Sequence, residues 1–245
     1  MRFFKMNGLS NDYIFIDQEQ FSGRSPDLNI PFLCDRHKGI GSDGVVLFKK
    51  IDTYALSMKI FNVDGTEAEM CGNALRCLIR HQNAIGKRVT VQTKAGVRSG
   101  VYDGNAVSIN LGKPVSYDTD FRNIVINHKI YCGKKVNVGN PHFVIEKPYD
   151  ETLAKSISEC KECFPYRTNV EFITKSDDGY NVRVYERGCG ETLACGTGAA
   201  AVLVASGKKE TVIHLLGGTL VCIKDNDEII QIGSAEYNFE GEINV

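Results

Sequence analysis

The 245-residue chain sets 29 Lys and Arg against 30 Asp and Glu, a formal net charge of −1, with 42% apolar and 24% charged residues. That balance excludes a general electrostatic attraction to nucleic acid or to an anionic membrane, and no apolar run approaches the ~18 residues of a spanning helix. The length suits one large domain or two smaller ones with a real core, and the start of the chain lacks the apolar stretch of a signal peptide, so a cytoplasmic protein is expected.

In chain order, strand-like runs rich in β-branched and aromatic residues fall at 13–17, 55–63, 89–93, 106–112, 142–146, 170–175, 180–186 and 218–224. Helix-like runs fall at about 71–85, 151–160 and 195–207. Grouped strands with few helices between them predict mixed α+β layers rather than a doubly wound parallel sheet. "GIGSDG", residues 39–44, matches a dinucleotide fingerprint, which should follow a strand and open a helix. Here it follows the charged "CDRHK" and precedes the strand-like "VVLFKK", so it reads as a turn before a strand.

Nine cysteines in a chain of this length read as reduced thiols rather than a disulfide framework. Cys160 and Cys163 form a C-x-x-C with no second ligand pair to answer it, so no metal centre is expected. Cys34, Cys77, Cys132 and Cys222 read as small buried residues. His214 reads as a satisfied core histidine, and His37, His81 and His128 as surface residues.

One internal similarity organises the chain. Glu67-x-x-x-Cys71-Gly72-Asn73-Ala74 matches Glu191-x-x-x-Cys195-Gly196-Thr197-Gly198, each match lying after a strand-like run and opening a helix-like run. The matched cysteines stand half a chain apart, which predicts a duplicated unit with a boundary near 111–120. A cysteine at a helix start meets unpaired N–H groups and the positive end of the helix dipole, which favour thiolate. The same N–H groups hold a carboxylate, and the glycine lets a ligand come close. Two such elements facing each other across a cleft could invert a stereocentre, one sulfur removing an α-proton and the other returning one.

"KMNGLSNDY", "FNVDGTEAEMCGNALRC", "GNPHF", "RTNVEF", "ERGCGETLACGTGAAA" and "FEGEI" resemble, in order and over nearly the whole chain, the diaminopimelate epimerase family. The resemblance implies a cofactor-independent epimerase interconverting LL- and meso-diaminopimelate, active as a homodimer on a small amino-acid substrate. It implies two pseudo-symmetric lobes, each a barrel-like sheet around a central helix: 1–114, joined by a C-terminal strand 236–245, and 115–235, with the site between them. Carried over by motif, Cys71 and Cys195 are the acid and base, with His142 and Glu186 supporting them. Gly72, Asn73, Gly196 and Thr197 would hold the reacting carboxylate. Asn11, Asn62, Asn140 and Asn169 would bind polar groups of the ligand, and Glu186 and Arg187 its second amino-acid head. Ser10 and Cys189 depart from the family's usual small residues. A paralogous racemase of a single amino acid such as histidine is the alternative; Asn73 argues against proline racemases, which place His after this Cys-Gly.

Overall fold

Strand periodicity accounts for most of the chain. In a computed structural model, which describes residues 1–21 and 27–244, the described residues divide into two units. The first is Met1–Asn110 with Gly233–Val245, and the second is Leu111–Ile232. Val245, the last residue of the expected C-terminal strand, lies outside the described residues; the strand itself is Glu236–Glu242.

In the first unit the strands lie in the order Glu236–Glu242, Arg2–Gly8, Asn11–Asp17, Gly44–Asp52, Ala55–Asn62, Arg88–Thr93, Gly96–Tyr102 and Val107–Gly112. Asn11–Asp17 runs parallel to Gly44–Asp52, as does Ala55–Asn62 to Arg88–Thr93; the other pairs are antiparallel. The strand Asn11–Asp17 buries five consecutive residues, Asp12 to Ile16, so both its faces are covered. Its connection to Gly44 carries a 3₁₀ turn, Gln18–Phe21, and the short helix α1 (Ile30–Cys34), whose first turn is capped by the Asn29 side chain. Helix α2 (Gly72–Gln82) buries every residue from Gly72 to Ile79 and packs on strands Arg2–Gly8, Asn11–Asp17 and Gly96–Tyr102. Each of Leu75, Leu78 and Ile79 is fully buried and stabilises the unit by roughly 2 kcal/mol.

The second unit repeats this threading with different residues. Its paired strands include Arg122–Ile126, Lys129–Asn137, Pro141–Glu146, Asn169–Lys175, Gly179–Glu186, Glu210–Leu215 and Gly218–Asp225. Pro141–Glu146 runs parallel to Asn169–Lys175 across the helix α3 (Glu151–Glu159), capped by Asp150. Gly179–Glu186 runs parallel to Glu210–Leu215 across the helix α4 (Gly196–Ser206). Before α2 and α4 alike, a short antiparallel strand folds back, Glu67–Ala68 in one unit and Gly190–Thr192 in the other. Helix α4 is apolar on every side and packs against five strands of its unit, which is the pattern of a buried central helix.

All eight strand-like runs are strands, and all three helix-like runs are helices within a few residues of their expected bounds. "GIGSDG" is a turn that opens the strand Gly44–Asp52. Three assignments need correction. Cys132 is exposed, because it lies on the outward side of Lys129–Asn137. His214 is half-buried at the surface, bonded to Asp178 and Thr219. His81 stacks on Phe4 at 4.0 Å, and burial lowers its pKa. No helix among the described residues is long and apolar enough to cross a membrane.

Candidate active site

Both matched cysteines are N-caps. Cys71 and Cys195 have extended backbones, with φ of −138° and −124°, and their carbonyls accept the first helical hydrogen bonds, from Leu75 and Ala199 at 3.0 Å each. An N-cap leaves first-turn N–H groups without helical acceptors, so Gly72–Asn73 and Gly196–Thr197 open two anion-receptive helix starts.

In the first unit Cys71 is half-buried. The Tyr13 hydroxyl donates to its sulfur at 3.2 Å. The Asn11 side-chain carbonyl lies 3.8 Å from the same sulfur and accepts from Asn73 Nδ2 at 3.0 Å. The Asn11 amide group donates to Asp43 Oδ2 at 2.9 Å, which fixes the orientation of this side chain. Asn73 Oδ1 accepts from the fully buried Arg76, whose Nε also donates to the Ser234 carbonyl. Behind Asn11 stands an ionic cluster: Arg36 bridges Asp12 and Asp43, and Lys5 contacts Asp12 at 2.7 Å. Burial pushes the Asp12 carboxyl up, but Arg36 and Lys5 outweigh it and hold the pKa down at about 2. Asn62 is exposed and donates to Thr66 Oγ1.

In the second unit Cys195 is 5% exposed. Its sulfur accepts from the Gly198 N–H at 3.3 Å and lies 3.4 Å from Thr197 Oγ1. Burial drives its pKa well above the usual thiol range, and the charges of Glu186 and Glu171 push it the same way. The helix start therefore does not lower this thiol, contrary to expectation: desolvation and two carboxylates outweigh the hydrogen bonds from Thr197 and the Gly198 N–H. Burial also raises Glu186, against hydrogen bonds with Thr192 and Cys195. Thr192 Oγ1 donates to Glu186 Oε1 at 2.5 Å.

His142 is buried, with Nδ1 at 2.6 Å from Glu171 Oε1 and Nε2 at 2.9 Å from Asn140 Oδ1. Glu171 is fully buried, and its Oε2 has no hydrogen-bond partner among the described residues. Asn169 acts as a strut, donating to the Pro141 carbonyl and accepting from the Arg187 N–H. The Arg187 guanidinium is exposed and donates to the Tyr166 carbonyl at 2.8 Å. The amide of Gln231 braces the start of α4 by donating to the Gly196 carbonyl.

Within the first unit, then, Cys71, Gly72, Asn73 and Asn11 come together, and Asn62 is tied separately to Thr66. Within the second, one group is Cys195, Gly196, Thr197 and Glu186. Another is Asn140 with His142, and Asn169 links the strand of His142 to Arg187. Sequence reading missed Tyr13, Asp43 and Glu171. For Glu171 there was a signal: one acid inside the apolar run "NVEFITK" must be buried with a partner or break the strand. Among the described residues no group of three or more His, Cys, Asp or Glu is placed to hold a metal ion.

The family model for diaminopimelate epimerase matches residues 3–117 and 135–238. The diaminopimelate epimerase of Methanococcus maripaludis (strain C5) is 41% identical, with 100% of each chain covered. That of Brachyspira hyodysenteriae is 38% identical over 99% of each. Among solved structures, a hydroxyproline epimerase from Agrobacterium vitis superposes with a TM-score of 0.69 at 13% identity. The match covers 98% of this chain and 91% of that one, and shows a shared fold. The chain belongs to the diaminopimelate epimerase family.

Proposed function

We propose that the chain interconverts LL- and meso-2,6-diaminopimelate by two-base proton transfer at the α-carbon, with Cys71 and Cys195 alternating as base and acid. The observation that carries this reading is the repeated one: each unit opens its buried central helix with a Cys-Gly pair whose cysteine is the N-cap. An amino-acid α-proton is a very weak acid, so the developing charge on the substrate carboxylate needs donors already in place. The first-turn N–H groups of α2 and α4 are such donors. Cys195, raised by burial and by Glu186 and Glu171, is suited to hold a proton and deliver it to one face of the carbon. Cys71, held by the Tyr13 hydroxyl and Asn11, would take the proton from the other face.

Glu186 keeps the Cys195 thiol within hydrogen-bond reach, and His142 brings a buried acid–base group to the same unit. Asn62 and Arg187, both exposed, are available to an incoming ligand; Arg187 would exchange the Tyr166 carbonyl for a bidentate carboxylate partner. The chemistry needs no cofactor, because thiol and thiolate supply both proton transfers. The family resemblance adds a cytoplasmic homodimer to the reading, which sedimentation of the purified chain would check.

The test is exchange of the substrate α-proton in deuterated water, with diaminopimelate and histidine offered separately. Exchange and inversion are expected with diaminopimelate. Cys71→Ala and Cys195→Ala are each expected to lower the rate by about 100-fold or more, with circular dichroism unchanged. Turnover of either variant near the parent rate sinks the two-base reading; exchange with histidine in place of diaminopimelate sinks the substrate.

A further inference from the structure

The geometry points to Tyr13 as a catalytic residue: its phenolic hydroxyl donates a hydrogen bond to the Cys71 sulfur and holds that sulfur as thiolate between proton transfers. This deepens the reading above and rests on Cys71 being one of the two bases.

Two independent observations support it. The first is contact: the hydroxyl lies 3.2 Å from Cys71 Sγ, on a residue only 8% exposed, so the donor meets the reacting atom in a part-buried setting. A thiol and a thiolate use this surrounding differently. As a thiol, Cys71 donates toward Asn11 Oδ1 and accepts from Tyr13. As a thiolate it has no proton for Asn11, and the Tyr13 hydroxyl is the donor that remains. Donation to the charged form favours that form.

The second observation is the internal repeat. Tyr13 pairs with Gly44 across the parallel strands of the first unit, and Gly44 pairs with Asn62. In the second unit His142 pairs with Asn169 across the corresponding parallel strands. The next strand there brings Val170 opposite Tyr185, one residue before Glu186. Asn62 and Glu186 each stand nine residues before their unit's cysteine. Counting along either unit, Tyr13 therefore occupies the place of His142, so the duplicated scaffold puts a hydrogen-bonding ring at that strand position twice. "GIGSDG", whose chemistry no other residue explained, serves this placement. A Cβ at Gly44 would fall 2.8 Å from Tyr13 Cε1 and 2.5 Å from the Phe61 carbonyl, so only glycine leaves room for the ring. Its neighbour Asp43 fixes Asn11, the other group at the sulfur.

The experiment compares Tyr13→Phe with the parent protein. Iodoacetamide alkylation is measured from about pH 6 to pH 10, and peptide mass spectrometry reads Cys71 and Cys195 separately. Cys77 on α2 interacts electrostatically with Cys71, and Arg76 and Asp43 bond the Asn73 and Asn11 side chains beside it; the substitution leaves all three in place. Loss of the hydroxyl should move the Cys71 profile upward by about one pH unit. The Cys195 profile should stay where it is, and kcat near neutral pH should fall about tenfold and recover as the pH rises. A Cys71 profile identical to that of the parent, in a variant with the parent's thermal midpoint, overturns the proposal.

If Tyr13→Phe does not fold, 3-fluorotyrosine at position 13 keeps the hydroxyl and reports through its fluorine resonance. That resonance should shift with pH in step with Cys71 alkylation, and the step should vanish in Cys71→Ala. A resonance indifferent to Cys71→Ala overturns the proposal as surely. Either negative result leaves the two-base reading intact, because that reading fails only if Cys71→Ala or Cys195→Ala keeps its activity.

Discussion

The two units share a thread and differ in charge. Each runs an antiparallel pair, a parallel crossover, an antiparallel pair and a short return strand, then a helix capped by cysteine and a second parallel crossover. Around Cys71 the groups are a hydroxyl and an amide, with the buried Arg76 reached through Asn73. Around Cys195 they are two carboxylates, at Glu186 and Glu171. Duplication supplies equivalent positions for two sulfurs, and divergence sets carboxylates beside Cys195 that push its thiol up. In the proposed two-base reaction that inequality would set which of the two sulfurs keeps the proton.

The largest effect should come from the one position where the matched motifs differ in size. Gly198 aligns with Ala74. A Cβ on Gly198 would lie 2.9 Å from Glu171 Oε1 and 3.4 Å from Cys195 Sγ, because the buried carboxylate fills the space that the first unit leaves for a methyl group. Gly198→Ala should displace the Glu171 carboxylate that borders the Cys195 sulfur, and a shift of even an ångström at a reacting site costs about 100-fold in rate. Steady-state kinetics would read it. A kcat above a tenth of the parent's would mean that Glu171 yields freely and does not define the Cys195 site.

Next in size is Glu171→Gln, which keeps the shape and removes one charge. Carboxylate charge holds Cys195 up, so neutralising it should bring the Cys195 alkylation profile down in pH by about one unit, with Cys71 unmoved. Movement of the Cys71 profile instead would show that the asymmetry between the two thiols does not originate at this carboxylate.

These two residues also mark the limit of what the amino-acid sequence discloses. The strands were legible because apolar residues alternate or run together between Gly, Asn and Asp, and both central helices because each follows a Cys-Gly pair. The cysteines were legible as candidates because their Cys-Gly motif is local and repeated, while Asn11 and His142 were named only through the family resemblance. Glu171 was not singled out, because its meaning lies in His142, 29 residues away. Tyr13 looked like any aromatic residue in a buried strand, since only the pairing of that strand with Gly44 and the start of α2 brings its hydroxyl to Cys71. The five-residue α1 escaped notice because a single turn is too short to show a period. A raised Cys195 was equally out of reach: the helix start is written locally, while the desolvation that overrides it comes from strands throughout the unit.

The smallest effect is the reciprocal substitution, Ala74→Gly. Ala74 is fully buried in the first turns of α2. Removing the methyl should cost about 1 kcal/mol, from the lower helix propensity of glycine and the smaller apolar surface it buries. Chemical denaturation should show this as a lower midpoint with an unchanged slope, while kcat stays within about twofold of the parent. Two substitutions at matched positions would then do opposite things, one stopping catalysis and the other touching only stability. A large loss of activity in Ala74→Gly would mean that the first helix turn constrains Cys71 as tightly as Glu171 constrains Cys195, and the division between a carboxylate-bound thiol and a hydroxyl-bound one would have to be redrawn.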